Sequence, residues 1–270
     1  MTGILNAPTR RLWLVPIVGL LGFLAACATP PSDPAALADF KATNDPLEPM
    51  NRDIFSFNQF LDRILIKPVA QSYRFVFPEF SRDAMRNFLD NLGEPVIFAN
   101  NVLQGEWKLA HDTAVRFMVN STFGLGGMID VASMSELPRQ SGDFGQTLYV
   151  WGISDGPYLV LPILGPSNPR DTTGMVVDGF GDPWGYLADA YGAGAVATIS
   201  RFAAKGVDER ARNIETLDEL QRNAIDFYAQ MRSLSRQHRA SELRHGRPAP
   251  MPNLDSLIDP AKVEDAAYPH

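Results

Sequence analysis

The stretch "NDPLEPMNRDIFSFNQFLDRIL", residues 44–65, decides how the rest of the chain is read. Asp45 is of a type that caps helices, Pro46 suits a first helical position, and Glu48 completes a pair resembling a capping box. Downstream, Met50, Ile54, Phe57, Leu61, Ile64 and Leu65 recur at helical spacing, and Phe55 and Phe60 widen the stripe. This predicts an amphipathic helix with a broad apolar face.

The same pattern recurs outward from it. Residues 81–92 place Met85, Phe88, Leu89 and Leu92 on one helical face; Pro95 restarts or kinks the helix, and residues 96–103 continue the apolar pattern. After a break at Gly105, residues 107–122 predict a helix with Ala110, Ala114, Phe117 and Met118 inward. Residues 124–169 are dense in glycine and proline. Within them the apolar run 158–164 fits either a buried strand or a membrane-facing turn. Residues 171–179, 183–191 and 194–205 read as short helices, and 207–243 as the longest amphipathic pattern, carried by Ile214, Leu217, Leu220, Ile225, Tyr228, Met231 and Leu234. Aspartates and glycines interrupt these segments, so none is a transmembrane span. The many apolar faces either converge on one core or partly face acyl chains, and periodicity leaves both open.

Composition narrows the function classes. The chain has 270 residues, of which 45 % are apolar and 20 % charged, and a net charge of −7. Residues 1–26 hold Arg10 and Arg11 and no acid, so the remainder is more acidic still. An acidic body without a basic run argues against nucleic acid as a partner. Of the four histidines only His111 precedes residue 238, so a histidine-rich metal site is not expected.

The single cysteine, Cys27, lies in "LLGFLAACATP", residues 20–30, and excludes an internal disulfide. Arg10 and Arg11, an apolar run over residues 12–24 and small residues at the cut are the parts of a secretory signal peptide. The run rises about 20 Å as a helix, too short for a hydrocarbon core of roughly 30 Å. Leu24-Ala25-Ala26-Cys27 matches the bacterial lipobox, in which the cysteine becomes the lipidated first residue of the mature chain. Cys27 is thus expected to carry covalent diacylglycerol and an N-acyl chain, with no other cofactor; several acyl chains anchor where one would not. Ala28 stands where inner-membrane retention commonly uses aspartate, which favours sorting to the outer membrane. The expected organisation is a signal peptide over 1–26, a lipidated tether over 27–44, a helical domain over 45–245 and a proline-rich tail over 246–270.

Enzyme signatures are weak. Gly124, Gly126 and Gly127 lack the lysine and hydroxyl of a phosphate loop and read as a tight bend. Ser167 stands outside any nucleophile elbow, and Asp143 with Asp171 gives only a generic pair of acids. Arg170, Asp171 and Arg201 each fit an exposed helix-end charge. Arg201 stands out as the only charge between Tyr191 and Ala204, a costly placement in lipid unless it meets water or a partner.

Six segments in order, "DPLEPMNRDIFSFNQFLD", "NFLDNLGEP", "GLGGMIDVA", "DFGQTLYVWG", "GPYLVLPILGPS" and "RD", resemble the MlaA/VacJ family of outer-membrane lipoproteins. The resemblance covers about residues 45–234, and over 179–191 it is one of hydrophobic pattern only. It implies a mainly α fold: a ring-shaped bundle of short amphipathic helices around a central channel, embedded in the inner leaflet of the outer membrane. It further implies a non-enzymatic conduit that removes misplaced phospholipids from the outer leaflet, with a trimeric porin and a soluble periplasmic lipid-binding protein as partners. Arg170, Asp171 and Arg201 become channel-lining candidates. Gly124, Gly126 and Gly127 become the bend before a hairpin, about 129–143, that gates the bore. Thr172 stands where the family often has a second acid. The alternatives are a structural lipoprotein packing beside porins and a lipid-modifying hydrolase using Ser167, Asp143 and Asp171.

Cys27→Ala is expected to lose stable membrane association, and fractionation of cell envelopes checks this; normal retention of the variant would make the acyl anchor dispensable.

Overall fold

The computed structural model of the chain describes residues 43–245 and 247. The expected signal peptide, Cys27, most of the tether and nearly all of the tail lie outside the described residues. What is described is mainly helical, and no helix is long and apolar enough to cross a membrane.

Helix α1 spans Glu48–Leu61, passes through a π turn at Asp62–Ile66 and continues as α2, Lys67–Val76. Pro68 explains the wide turn: it has no N–H to donate and its ring crowds the carbonyl four residues back. The turn is tied to later helices by two doubly hydrogen-bonded ion pairs, Arg210 to Asp62 at 2.7 and 2.9 Å and Lys67 to Asp218 at 2.8 and 2.9 Å.

Helix α3, Glu79–Leu103, runs unbroken through Pro95, joining two segments that the sequence separates. α4, Trp107–Thr122, packs back along it. The contact between them reverses the expected polarity. α4 buries Asp112, Thr113, Arg116 and Asn120 beside Ala110, whereas Met118 is exposed. From α3 come Asn91, Glu94 and Asn101, and Arg116 donates to Glu94 while Asn101 donates to Thr113.

After a helical turn, α5 (Val131–Met134), and α6 (Phe144–Val150), the chain makes its only sheet among the described residues. β1, Leu159–Leu161, pairs antiparallel with β2, Gly165–Ser167, with Val160 opposite Pro166. The apolar run 158–164 therefore begins as a strand, with Tyr158 and Val160 buried, and ends in an exposed turn carrying Ile163 and Leu164. Asn58 of α1 clamps that turn, donating to the Leu161 carbonyl at 2.9 Å and accepting from the Ile163 N–H at 2.8 Å.

Helices α7 (Pro169–Gly181), α8 (Pro183–Asp189), α9 (Gly194–Arg212), α10 (Ile214–Asn223) and α11 (Phe227–Leu243) complete the fold. The single amphipathic pattern expected over 207–243 is thus divided at Asn213 and again at 224–226, where Asp226 accepts from the Ala229 N–H and starts α11. Ile225, expected to pack inward, lies fully exposed in that break.

Asp45 does not cap α1. The helix starts at Glu48 with Leu47 in the capping position and no side-chain cap. Asp45 is instead buried, where it accepts from Asn51, Tyr228 and Arg232 and joins α1 to α11. Burial wins because a carboxylate facing an arginine and a phenol gains more than one capping bond.

The interior is polar and the surface greasy. The largest fully buried side chains are Gln146, Glu94, Asn51, Asn101, Thr113, Thr147 and Asp45, while Phe60, Phe75, Phe80, Phe123, Phe180 and Tyr191 stand more than half exposed. Apolar clusters are small: Ala70, Ala211 and Ile214 form one, and Tyr158, Val160 and Tyr228 another. Hydrogen bonds, more than a hydrophobic core, hold these helices in register.

Asn51 measures that dependence. It accepts from the Val160 N–H and donates to the Tyr158 carbonyl and Asp45 at 2.8–3.0 Å. Asn51→Leu leaves these groups unpaired and is expected to cost about 2–4 kcal/mol, read by chemical unfolding in detergent.

Candidate functional site

Two cavities, each of about 680 Å³, lie on either side of α7 and share Asp143, Met175 and Glu242 in their walls. Each falls within the size range of small-molecule sites. Both mix charge with apolar surface. The first is lined by Arg170, Asp171 and Arg239 together with Met231, Leu234 and Leu243. The second is lined by Arg139, Arg201 and Lys205 together with Ile97, Leu164 and Phe202.

The start of α7 builds the first wall. Asn168 caps the helix by accepting from the Asp171 N–H at 2.9 Å, and Pro169 follows as a first helical residue that needs no hydrogen bond. α7 approaches α6 so closely that a Cβ at Gly174 would lie 2.4 Å from the Gly145 nitrogen, which brings Asp143 beside Asp171. Arg239 of α11 closes the pair. Its guanidinium bonds Asp143 at 2.7 and 2.8 Å, Asp171 at 2.8 and 2.9 Å, and Glu242 at 3.1 Å. Arg170 is buried, reaches the Asp171 carboxylate at 3.0 Å and lies over the Tyr149 ring. Burial pushes the Asp171 carboxyl up, but the hydrogen bonds from Arg239 and then Arg170 outweigh it and hold it below the ordinary range.

The second wall is carried by α3, α7 and α9. Arg201 and Lys205 stand one turn apart on α9, so they share a face. Arg201 is an ion-pair partner of Asp182 at 2.6 Å, the same residue that caps α8. Arg139 reaches Asp90 at 3.1 Å and Glu94 at 3.9 Å, while Lys205 stands 4.0 Å from Asp90. Across the cavity Asp178 accepts from Asn100 and from the Phe144 N–H, and burial lifts its pKa above the ordinary carboxylate value despite both bonds.

The structure therefore brings Arg170 and Asp171 to one cavity and Arg201, with Thr172, to the other. Gly124, Gly126 and Gly127 line neither. They form the bend after α4, where Gly126 and Gly127 have positive φ and a Cβ at Gly127 would strike Asn91 at 2.5 Å. The segment after the bend is not the expected hairpin. It opens with the helical turn α5, and Arg116 pins it through Asp130 at 3.1 Å, Ser133 at 3.1 Å and the Leu137 carbonyl. Only residues 139–143 of it face the second cavity. Arg139, Lys205 and Arg239 escaped the sequence reading, although Arg139 lies four residues before the "DFGQTLYVWG" motif. Their importance comes from contacts across long stretches of chain, which no local spacing announces.

Arg239→Met is expected to destabilise the fold by about 3 kcal/mol at neutral pH, because buried acids lose their cation. Its pH dependence also weakens. In the native chain the depressed pKa of Asp171 contributes stability that is present above pH ~4 and lost as pH falls through the folded value. In the variant Asp171 keeps Arg170 and Asn168 but loses Arg239, so its carboxyl is held down less and a smaller part of the stability is lost as pH falls below ~4. Melting curves across that range check it.

Comparison with known proteins agrees with this architecture. A family profile described as MlaA lipoprotein matches residues 43–242. The chain is 34 % identical over 217 residues to a Haemophilus influenzae protein named intermembrane phospholipid transport system lipoprotein MlaA, covering 76 % of this chain and 81 % of that one. The Escherichia coli protein of the same name is 32 % identical over 234 residues, covering 84 % and 90 %. A solved structure described as "Structural basis for maintenance of bacterial outer membrane lipid asymmetry" matches with a TM-score of 0.64 and 33 % identity, over 74 % of this chain and 98 % of that one.

Proposed function

The chain belongs to the MlaA lipoprotein family, and from that premise we propose that it is a non-enzymatic phospholipid conduit of the outer membrane. Anchored through Cys27 on the periplasmic side, it removes misplaced phospholipids from the outer leaflet and hands them to a soluble periplasmic lipid carrier, working beside a trimeric porin. The observation that carries this reading is the inverted polarity of the fold: bulky apolar side chains outside, charged and amide groups inside, and two amphipathic cavities meeting at Asp143, Met175 and Glu242.

The physics of lipid exchange requires such a surface. A phospholipid changes leaflet slowly because its charged headgroup must enter hydrocarbon, where one charge costs at least about 3 kcal/mol. A passage walled by ion pairs keeps the headgroup in polar surroundings while the acyl chains run along Ile97, Leu164, Phe202 and Met175. The helices satisfy their own backbone groups, so their exposed apolar faces are compatible with lipid on the outside. In this reading the helices surround the joined cavities in the manner of a ring.

No bond needs to be made or broken for this task. The acids that a hydrolase would require, Asp143 and Asp171, are both bonded by Arg239, and the Ser167 hydroxyl is 3.0 Å from that of Thr172. That arrangement supports transport over catalysis. A purely structural lipoprotein would have no use for a charged interior of this size.

Met175→Trp tests the conduit. The side chain is half-exposed and borders both cavities, so the larger ring narrows their junction with little cost to the fold. The variant is expected to be stable, to reach the envelope, and to lose at least most of the ability to lower outer-leaflet phospholipid in a deletion strain. Full complementation by Met175→Trp, or an unchanged outer leaflet in the deletion strain itself, would overturn the proposal.

A further inference from the structure

The second cavity contains more than the wall of a passage. Three cations from two parts of the chain meet there: Arg139 from the segment between α5 and α6, and Arg201 and Lys205 from α9. Their counter-ions are unevenly shared. Arg201 has Asp182 to itself at 2.6 Å. Arg139 and Lys205 both turn to Asp90, which is 3.1 Å from the first and 4.0 Å from the second. Glu94, 3.9 Å from Arg139, is shared with Arg116.

Lys205 is thus the most loosely held charge of the three. Its side chain is 62 % exposed and lines the cavity. Desolvation by the concave wall, then repulsion from Arg139 and from Arg201, press its pKa below the ordinary lysine value, while Asp90 opposes them. Of the acids in the same wall, Asp143 and Glu242 are bonded by Arg239, Asp178 by Asn100 and the Phe144 N–H, and Asp182 by Arg201, so Arg139 and Lys205 stand beside the apolar surface of Val96, Ile97, Val176 and Phe202 with only shared acids in reach. Positive charge against grease is the complement of an amphiphilic anion.

We propose that Arg139 and Lys205 form a binding station for the phosphate diester of a lipid headgroup, with the acyl chains lying along the neighbouring apolar wall. The phosphate takes over from Asp90 as the partner of Lys205 and relieves the repulsion between the two cations. Arg201, committed to Asp182, holds the wall in place and contributes field more than contact. This inference rests on the conduit reading, since it specifies where along the passage the headgroup pauses.

The test uses the full-length lipidated protein in detergent micelles, titrated calorimetrically with dihexanoyl phosphatidylglycerol, with dihexanoylglycerol, which lacks the phosphate, and with inorganic phosphate. Because a charge-assisted hydrogen bond contributes about 1.5–3 kcal/mol, the phosphatidyl compound is expected to bind at least about tenfold more tightly than dihexanoylglycerol. Lys205→Met keeps the stem at an exposed position, should preserve the fold, and is expected to remove that advantage; Lys205→Arg should restore it. Inorganic phosphate binding as tightly as the lipid would make this a site for a free anion and overturn the lipid assignment. Equal affinity for both lipids, unchanged in Lys205→Met, would overturn the station and leave the conduit standing. A native protein that takes up neither lipid would overturn both.

Discussion

The interactions on which this fold depends are hydrogen bonds between buried polar groups of different helices. Along the α3–α4 contact, Arg116 gathers Glu94 of α3 and Asp130, Ser133 and the Leu137 carbonyl of the segment after the glycine bend. At the other end of the molecule Asp45 joins α1 to α11 through Tyr228 and Arg232. A water-soluble bundle of this size would place leucine and phenylalanine at such junctions. Here those residues are outside, and hydrogen bonds supply the directionality that a greasy core cannot. In a lipid setting, where hydrocarbon offers no drive for apolar faces to seek each other, packing and polar contacts are the interactions left to hold helices together.

Much of the fold was legible in the sequence. The sequence pattern matches helix α4 to the residue and α7 and α8 to within two residues, whereas α9 runs seven residues past its expected end at Lys205. Three features were not. Pro95 sits inside α3 without breaking it, because a proline's local cost is outweighed when the turns on both sides are packed. The pattern over 207–243 looked continuous, since one apolar period can pass through Asn213 and Asp226 without change although the backbone stops at each. The third was the inversion itself. Periodicity identifies that a helix has two faces and is silent on which solvent each face meets, so Met118 and Ile225 were placed inside when both are exposed.

The site was less legible than the fold, for a related reason. Arg170, Asp171 and Arg201 were singled out by motif and by isolation in apolar text, and each lines a cavity. Their partners were invisible: Arg239 lies 68 residues from Asp171 and 96 from Asp143, and Arg139 meets Lys205 only through Asp90. The glycine bend shows the converse. Its residues were legible as a turn, yet the segment they introduce is fixed by Arg116, a residue that the sequence presents as one more charge on a helix.

The pairing of nearly every charge along both cavities has a functional logic of its own. A bare cation in a narrow apolar space would hold a headgroup tightly and release it slowly, whereas an apolar wall would refuse it. Passage requires attraction strong enough for entry and weak enough for exit, the condition that pores meet by multiple modest sites. An ion pair such as Arg201–Asp182 supplies polarity whose net charge is already balanced, so on the proposed conduit a zwitterion or an anion would exchange one partner for another of similar strength. The shared, stretched pairing of Lys205 and Arg139 on Asp90 departs from that balance at one place. On the proposed conduit, two cations that share their acids beside an apolar face are where a phosphate linked to acyl chains would gain most.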